Sequence, residues 1–112
     1  FVNGYRGSVT SGGVRGPDEL RIREAPVGSK MISQGMVQGR LQFDAKDIPV
    51  NVGGVVVNPG DIVVADGDGV IVVPRDMAEQ VAKYARRELL SDKAGRRKLY
   101  EEAGMELDDT VL

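Results

Sequence analysis

IPVNVGGVVVNPGDIVVADGDGVIVVP, residues 48–74, is the stretch whose reading decides the fold. Its three short apolar runs, Val55-Val56-Val57, Ile62-Val63-Val64 and Val70-Ile71-Val72-Val73, are separated by Asn58-Pro59-Gly60-Asp61 and Asp66-Gly67-Asp68-Gly69. β-Branched side chains lose freedom in a helix and pack well on a pleated surface, so the runs are predicted strands. Asp-Gly pairs favour tight hairpins because glycine accepts positive φ, which makes antiparallel pairing the expectation. No polar alternation interrupts the runs. Both faces of the sheet are therefore expected to be covered, by a helix or a second sheet.

The chain around this stretch has 112 residues, 41% hydrophobic and 29% charged, with a net charge of −2. That is enough for one domain with a modest core, and the charge balance indicates neither a nucleic-acid nor a membrane partner. There is no cysteine, which excludes disulfides and thiolate metal sites, and no histidine, the commonest general base and metal ligand. Acid–base or metal chemistry must run through carboxylates, Arg, Lys, Tyr or water. No apolar run reaches the roughly 20 residues needed to cross a bilayer, and Phe1 opens no signal peptide, so a soluble, cytoplasmic protein is expected. The chain begins as if inside structure, and an upstream segment is expected to be missing.

After Pro74 the pattern becomes helical. Asp76 and Glu79 have the spacing of a capping box, and Met77, Val81, Tyr84 or Ala85, and Leu89 recur along one face. This predicts an amphipathic helix to about Leu90 that covers the sheet. Ser91 is a candidate cap for a second helix to about Ala103, ended by Gly104. Its apolar content is thin, which suits packing on a neighbouring subunit, and Met105 to Leu112 reads as a tail. The expected organisation is residues 1–90 as a β-rich core with its covering helix and residues 91–112 as a C-terminal helix and tail in subunit contact. Arg86, Arg87, Lys93, Arg96, Arg97 and Lys98 are interleaved with Glu88, Asp92, Glu101 and Glu102, the pattern of a solvated face or subunit contact rather than a phosphate-binding stripe.

Before residue 48, Ser8-Val9-Thr10 is a predicted short strand left through a turn at Ser11-Gly12-Gly13. Pro17, with Asp18 and Glu19 behind it, marks a helix start, because proline is tolerated in the first turn and carboxylates favour the positive end of the helix dipole. That helix ends near Arg23 or Glu24, and Ala25-Pro26-Val27 is an expected edge strand. Residues 28–47 carry no clean period, and a loop of that length is often functional or mobile. Asp61, Asp66 and Asp68 sit where short acidic side chains bond their own turns. A calcium loop opening at Asp66 fails, since Met77 occupies its last ligand position.

Gly12-Gly13-Val14-Arg15, followed by the Pro-Val, Gly-Gly-Val, Pro-Gly-Asp and Asp-Gly-Val series of residues 49–74, resembles the regulator-of-ribonuclease-activity-A-like family, which includes 4-hydroxy-4-methyl-2-oxoglutarate aldolases. The resemblance implies an α/β fold, a swivelling β/β/α layered domain with C-terminal helices, assembled as a homotrimer or homohexamer. It implies that Arg15 is the catalytic and substrate-binding arginine of a 2-oxo-acid site, holding the oxygens of a pyruvate-like group. It also implies a divalent cofactor, Mg²⁺ or Mn²⁺, bound by an Asp directly after the Arg. Here that position is Gly16. Asp18 is the nearest substitute ligand, although a first-turn helix residue is its plainer reading, and Glu88 is the weak counterpart of a glutamate given by a neighbouring subunit. An earlier acid and a glycine-rich loop of the family pattern would precede Phe1.

The implied activity is a metal-dependent lyase of the class II pyruvate-type aldolase kind, with possible oxaloacetate decarboxylation. The alternative is a non-catalytic regulatory or binding protein, as the family's ribonuclease-regulating members are, and Gly16 supports it. A lyase with a rebuilt turn and altered substrate is a third reading.

Overall fold

Residues 4–112 are described by the computed structural model; the expectations attached to Phe1 fall outside them. The order is β1 (Ser8–Val14), α1 (Pro17–Ile22), β2 (Val27–Ile32), β3 (Val50–Val52), β4 (Val55–Val57), β5 (Ile62–Ala65), β6 (Val70–Val73), a 3₁₀ turn (Arg75–Met77) and α2 (Ala78–Glu102). The class is α/β. The chain divides into two compact units, one ending at Pro74 and the other Arg75–Leu112.

In the first unit β1 and β2 pair in parallel, with α1 as the crossover. A parallel pair needs a connection of about a dozen residues, which residues 15–26 supply. β1 runs past the expected turn: Ser11-Gly12-Gly13 lies inside it as an irregularity, with the register shifting between Thr10 and Gly13. The reason is local, since Gly12 N–H donates to Thr10 Oγ1 at 3.0 Å and absorbs the extra residue without leaving the ladder. The expected edge strand at Ala25-Pro26-Val27 is displaced forward. Pro26 gives its carbonyl to Ser8 N–H (3.0 Å), and the strand proper occupies Val27–Ile32, in the segment that showed no period.

The two hairpins come from the stretch quoted first. β5 and β6 pair antiparallel from Ile62↔Val73 to Ala65↔Val70, closed by Asp66-Gly67-Asp68-Gly69 as expected. A further strand, β3, pairs antiparallel with β4 across Gly53-Gly54, so the stretch holds four strands in two hairpins rather than one three-run sheet. Both glycines have positive φ (62° and 91°), the requirement of the two-residue turn whose twist matches a hairpin. A Cβ at Gly28 on β2 would lie 3.3 Å from Val70 Cγ2 and 3.5 Å from Val9 Cγ2, which places the β5–β6 hairpin against the parallel pair.

Among the described residues of this unit, the β5–β6 hairpin is not covered on both faces by the other strands. Val73 is buried, but Ile62, Val63, Val64, Val70 and Ile71 are 42–59% exposed. Four-residue strands in two-stranded sheets bring too few neighbours to close over such side chains.

In the second unit α2 is one continuous helix of 25 residues, and Ser91 lies within it instead of starting a second helix. Neither glycine nor proline follows Leu90 until Gly95, so nothing there stops propagation. The Asp76–Glu79 capping box does not form. Asp76 sits in the 3₁₀ turn, Met77 is the cap residue, and Glu79 falls in the first turn, where it complements the dipole. The helix closes in a Schellman motif: Gly104 N–H donates to Glu101 O (3.2 Å) and Met105 N–H to Tyr100 O (2.9 Å).

The tail is ordered against this helix. Lys93 Nζ donates to Leu112 O at 2.8 Å, and Val111, 3% exposed, is the most buried apolar side chain among the described residues. Four ion pairs run along α2 and its basic residues: Arg87–Glu88 (3.1 Å), Arg96–Asp92 (3.7 Å), Arg97–Glu101 (3.0 Å) and Lys98–Glu102 (3.7 Å). These pairs are exposed and join the basic residues to the interleaved acids.

Candidate functional site

Arg15 follows directly on Val14, the last residue of β1, and precedes α1. The carboxyl end of a strand feeding a crossover helix is where α/β folds hold ligands. Two features shape the turn. Gly16 takes a left-handed conformation (φ 73°, ψ 45°) as the cap residue of α1, and its carbonyl receives Leu20 N–H at 3.2 Å. Pro17 follows with the φ a first helical residue needs.

Beside this turn runs the start of the loop after β2. Ser33 N–H donates to Val14 O at 2.9 Å, and Gly35 N–H to Ser33 Oγ at 3.1 Å. Gly13 permits the approach: a Cβ there would lie 2.6 Å from Ser33 Cβ. The loop is thereby pinned to the Arg15 turn, and Met36 Sδ accepts a hydrogen bond from Arg15 Nη1. Arg15 is exposed and forms no ion pair among the described residues. A permanently charged planar fork with only a thioether as partner remains able to take an anion.

Asp18 is the second residue of α1, 88% exposed, and its Oδ1 pairs with Arg21 Nη1 at 3.3 Å. Its plainer reading, an acidic first-turn residue, matches that placement. Glu88 lies on α2, in the second unit, and receives Arg87 Nη2 at 3.1 Å. Among the described residues there is no cluster of three or more acidic side chains able to hold a metal ion. Gly16 offers a backbone carbonyl where a carboxylate is needed, and Asp18 pairs with Arg21 on the exposed face of α1. The residues present do not by themselves fit a divalent ion.

The hairpin aspartates serve their turns. Asp61 Oδ2 receives Asn58 N–H at 2.8 Å, and Asp66 Oδ1 receives Asp68 N–H at 2.9 Å and Gly69 N–H at 3.3 Å. Sequence reasoning singled out Arg15 and gave no sign of its contact with Met36. The parallel register of β1 and β2 brings the two together, and no local pattern signals it.

Residues 1–72 match the family described as RraA-like, Aldolase/RraA. No curated protein matches the chain. Among solved structures, an uncharacterized protein from Pseudomonas syringae pv. tomato str. DC3000 is similar at 26% identity and a TM-score of 0.72, over 99% of this chain. The chain spans 55% of the length of that protein's chain. Among the described residues no helix is long and apolar enough to cross a membrane.

Proposed function

Since this chain belongs to the Aldolase/RraA family, RraA-like, we propose that it carries the arginine part of a 2-oxo-acid site and acts as a carbon–carbon lyase on pyruvate-type substrates. The candidate reactions are cleavage of 4-hydroxy-2-oxo acids, such as 4-hydroxy-4-methyl-2-oxoglutarate, and decarboxylation of oxaloacetate. Both leave the enolate of pyruvate. The observation that carries the reading is Arg15: an exposed guanidinium without a carboxylate partner among the described residues, at the carboxyl end of β1. Its fork spans a carboxylate and the developing enolate oxygen, a fixed positive charge where negative charge accumulates. With no histidine in the chain, an ordered water takes the substrate hydroxyl proton in the retro-aldol direction.

A divalent ion, Mg²⁺ or Mn²⁺, supplies Lewis acidity when bound. Carboxylate ligands other than those of the Arg15 turn are then required, and a cytoplasmic homotrimer or homohexamer would supply them, with Glu88 of a second copy as one candidate. The exposed apolar strands favour such association.

Gly16 and the Asp18–Arg21 pair favour a second reading, a non-catalytic binding or regulatory protein. Wild type, Asp18→Asn and Gly16→Asp separate the two when assayed with both substrates, with and without chelator. Chelator-sensitive wild-type turnover sinks the regulatory reading. Inactivity of all three folded proteins sinks the lyase reading for these substrates.

A further inference from the structure

We propose that Met36 is a specificity-determining residue of the Arg15 site, forming an apolar wall that favours 2-oxo acids with a short alkyl group beyond the oxo carbon. The inference rests on the reading that Arg15 holds the acid.

The placement comes from the backbone before any side-chain contact. β1 and β2 are parallel, so their carboxyl ends lie side by side, and Val14↔Ile32 is the last paired position. The ladder is extended by Ser33 N–H to Val14 O (2.9 Å) and braced by Gly35 N–H to Ser33 Oγ (3.1 Å). Gly13, which has no Cβ, lets Ser33 lie close against β1. Residues 33–36 are therefore anchored next to Arg15, and Met36 meets its guanidinium.

What Met36 does there follows from its chemistry. A thioether is a weak acceptor, whereas a carboxylate makes a charge-assisted and bidentate bond to arginine. An incoming acid displaces the sulfur from Nη1. The anchored loop keeps the displaced side chain at hand, and the unbranched methionine adapts its three torsions to cover whatever apolar group the acid carries. Met36 is 50% exposed, so the selectivity it gives is modest, near the low end of what one methylene commands in a closed pocket.

The experiment titrates pyruvate and 2-oxobutyrate into wild type, Met36→Ala, Met36→Leu and Arg15→Ala by calorimetry, with thermal melts to confirm folding. Wild type is expected to bind 2-oxobutyrate several-fold tighter than pyruvate, up to about tenfold. Met36→Ala brings that ratio to about one, Met36→Leu retains most of it, and Arg15→Ala weakens both acids together. A wild-type ratio near one, or a preference unchanged in Met36→Ala while Arg15→Ala weakens both, overturns the role of Met36 and leaves Arg15 in place. No saturable wild-type binding, or binding unchanged in Arg15→Ala, overturns the 2-oxo-acid reading and this inference with it.

Discussion

Glu24 and Gly16 flank α1 with left-handed backbone, and only one of them is glycine. Glu24 has φ 50° and occupies the position after the helix cap, with Ala25 N–H to Leu20 O (2.9 Å) and Glu24 N–H to Arg21 O (3.1 Å) closing a Schellman motif. A Cβ in that conformation costs about 1–2 kcal/mol, partly offset by the freedom glycine brings to the unfolded chain. Glu24→Gly is accordingly expected to stabilise the protein by about 0.5–1 kcal/mol in a denaturant melt; a destabilised variant would contradict the backbone assignment. At Gly16 the arithmetic runs the other way. A Cβ there meets nothing within 4 Å, so the cost of a side chain is conformational alone, and aspartate tolerates the left-handed region better than most residues. That tolerance is what makes Gly16→Asp a usable variant in the lyase assay.

Two elements have predictions of their own. In β1, Gly13→Ala drives a methyl against Ser33, and the carboxyl end of the parallel pair must open or shift; a loss of about 1–3 kcal/mol is expected, read as a lowered melting midpoint. An unchanged midpoint would mean the strands separate there at no cost. The C-terminal turn is tied to acid pH through Asp108. Its carboxylate receives the Thr110 hydroxyl (2.6 Å) and amide (2.9 Å) on Oδ1 and faces the Tyr100 hydroxyl at 3.5 Å. The Thr110 hydroxyl and then its amide hold its pKa below the ordinary carboxylate value; partial desolvation opposes them, and Tyr100 and the positive Arg96 add to the lowering. A depressed folded pKa gives stability that is present above the unfolded value and lost as pH falls through the folded one. Protection of the Thr110 and Val111 amides should thus hold at pH 5 and above and fall below about pH 4. Asp108→Asn should flatten that dependence, and an unchanged profile in the variant would place the titration elsewhere.

These elements differ in how far they could be read from sequence, and the reasons are physical. The β5–β6 hairpin and α1 were legible because Asp-Gly turns and a first-turn proline act over a few residues. β2 was not: Gly28, Ser29 and Lys30 are poor strand formers, and a parallel partner 19 residues away holds them in place, from Ser8↔Val27 onward. Ser91 has the side chain of a cap, but a serine inside an uninterrupted helical run simply continues it. Arg15 stood out because a glycine turn announces it. Met36 could not, since its place depends on strand register.

At the scale of the whole molecule the outstanding feature is unburied apolar surface. Val73 and Val111 are the buried hydrophobics among the described residues, while Leu89, Leu90 and Leu99 on α2 are 53–63% exposed, and the strands of the first unit are open as well. Surface of this kind marks contact sites or aggregation. The chain is expected to self-associate at micromolar concentration in sedimentation and to bind a hydrophobic dye. A monodisperse monomer that leaves the dye dark would refute the assignment of these faces as contact surface.

The central claim is that Arg15 binds the planar oxygens of a 2-oxo acid or its enolate. Oxalate, a planar dianion with the enolate's oxygen geometry, tests it without requiring turnover. Calorimetric titration should give saturable binding to wild type and a loss of about 3 kcal/mol, roughly 100-fold or more, in Arg15→Ala with an unchanged melt. Equal oxalate affinity in wild type and Arg15→Ala would contradict it.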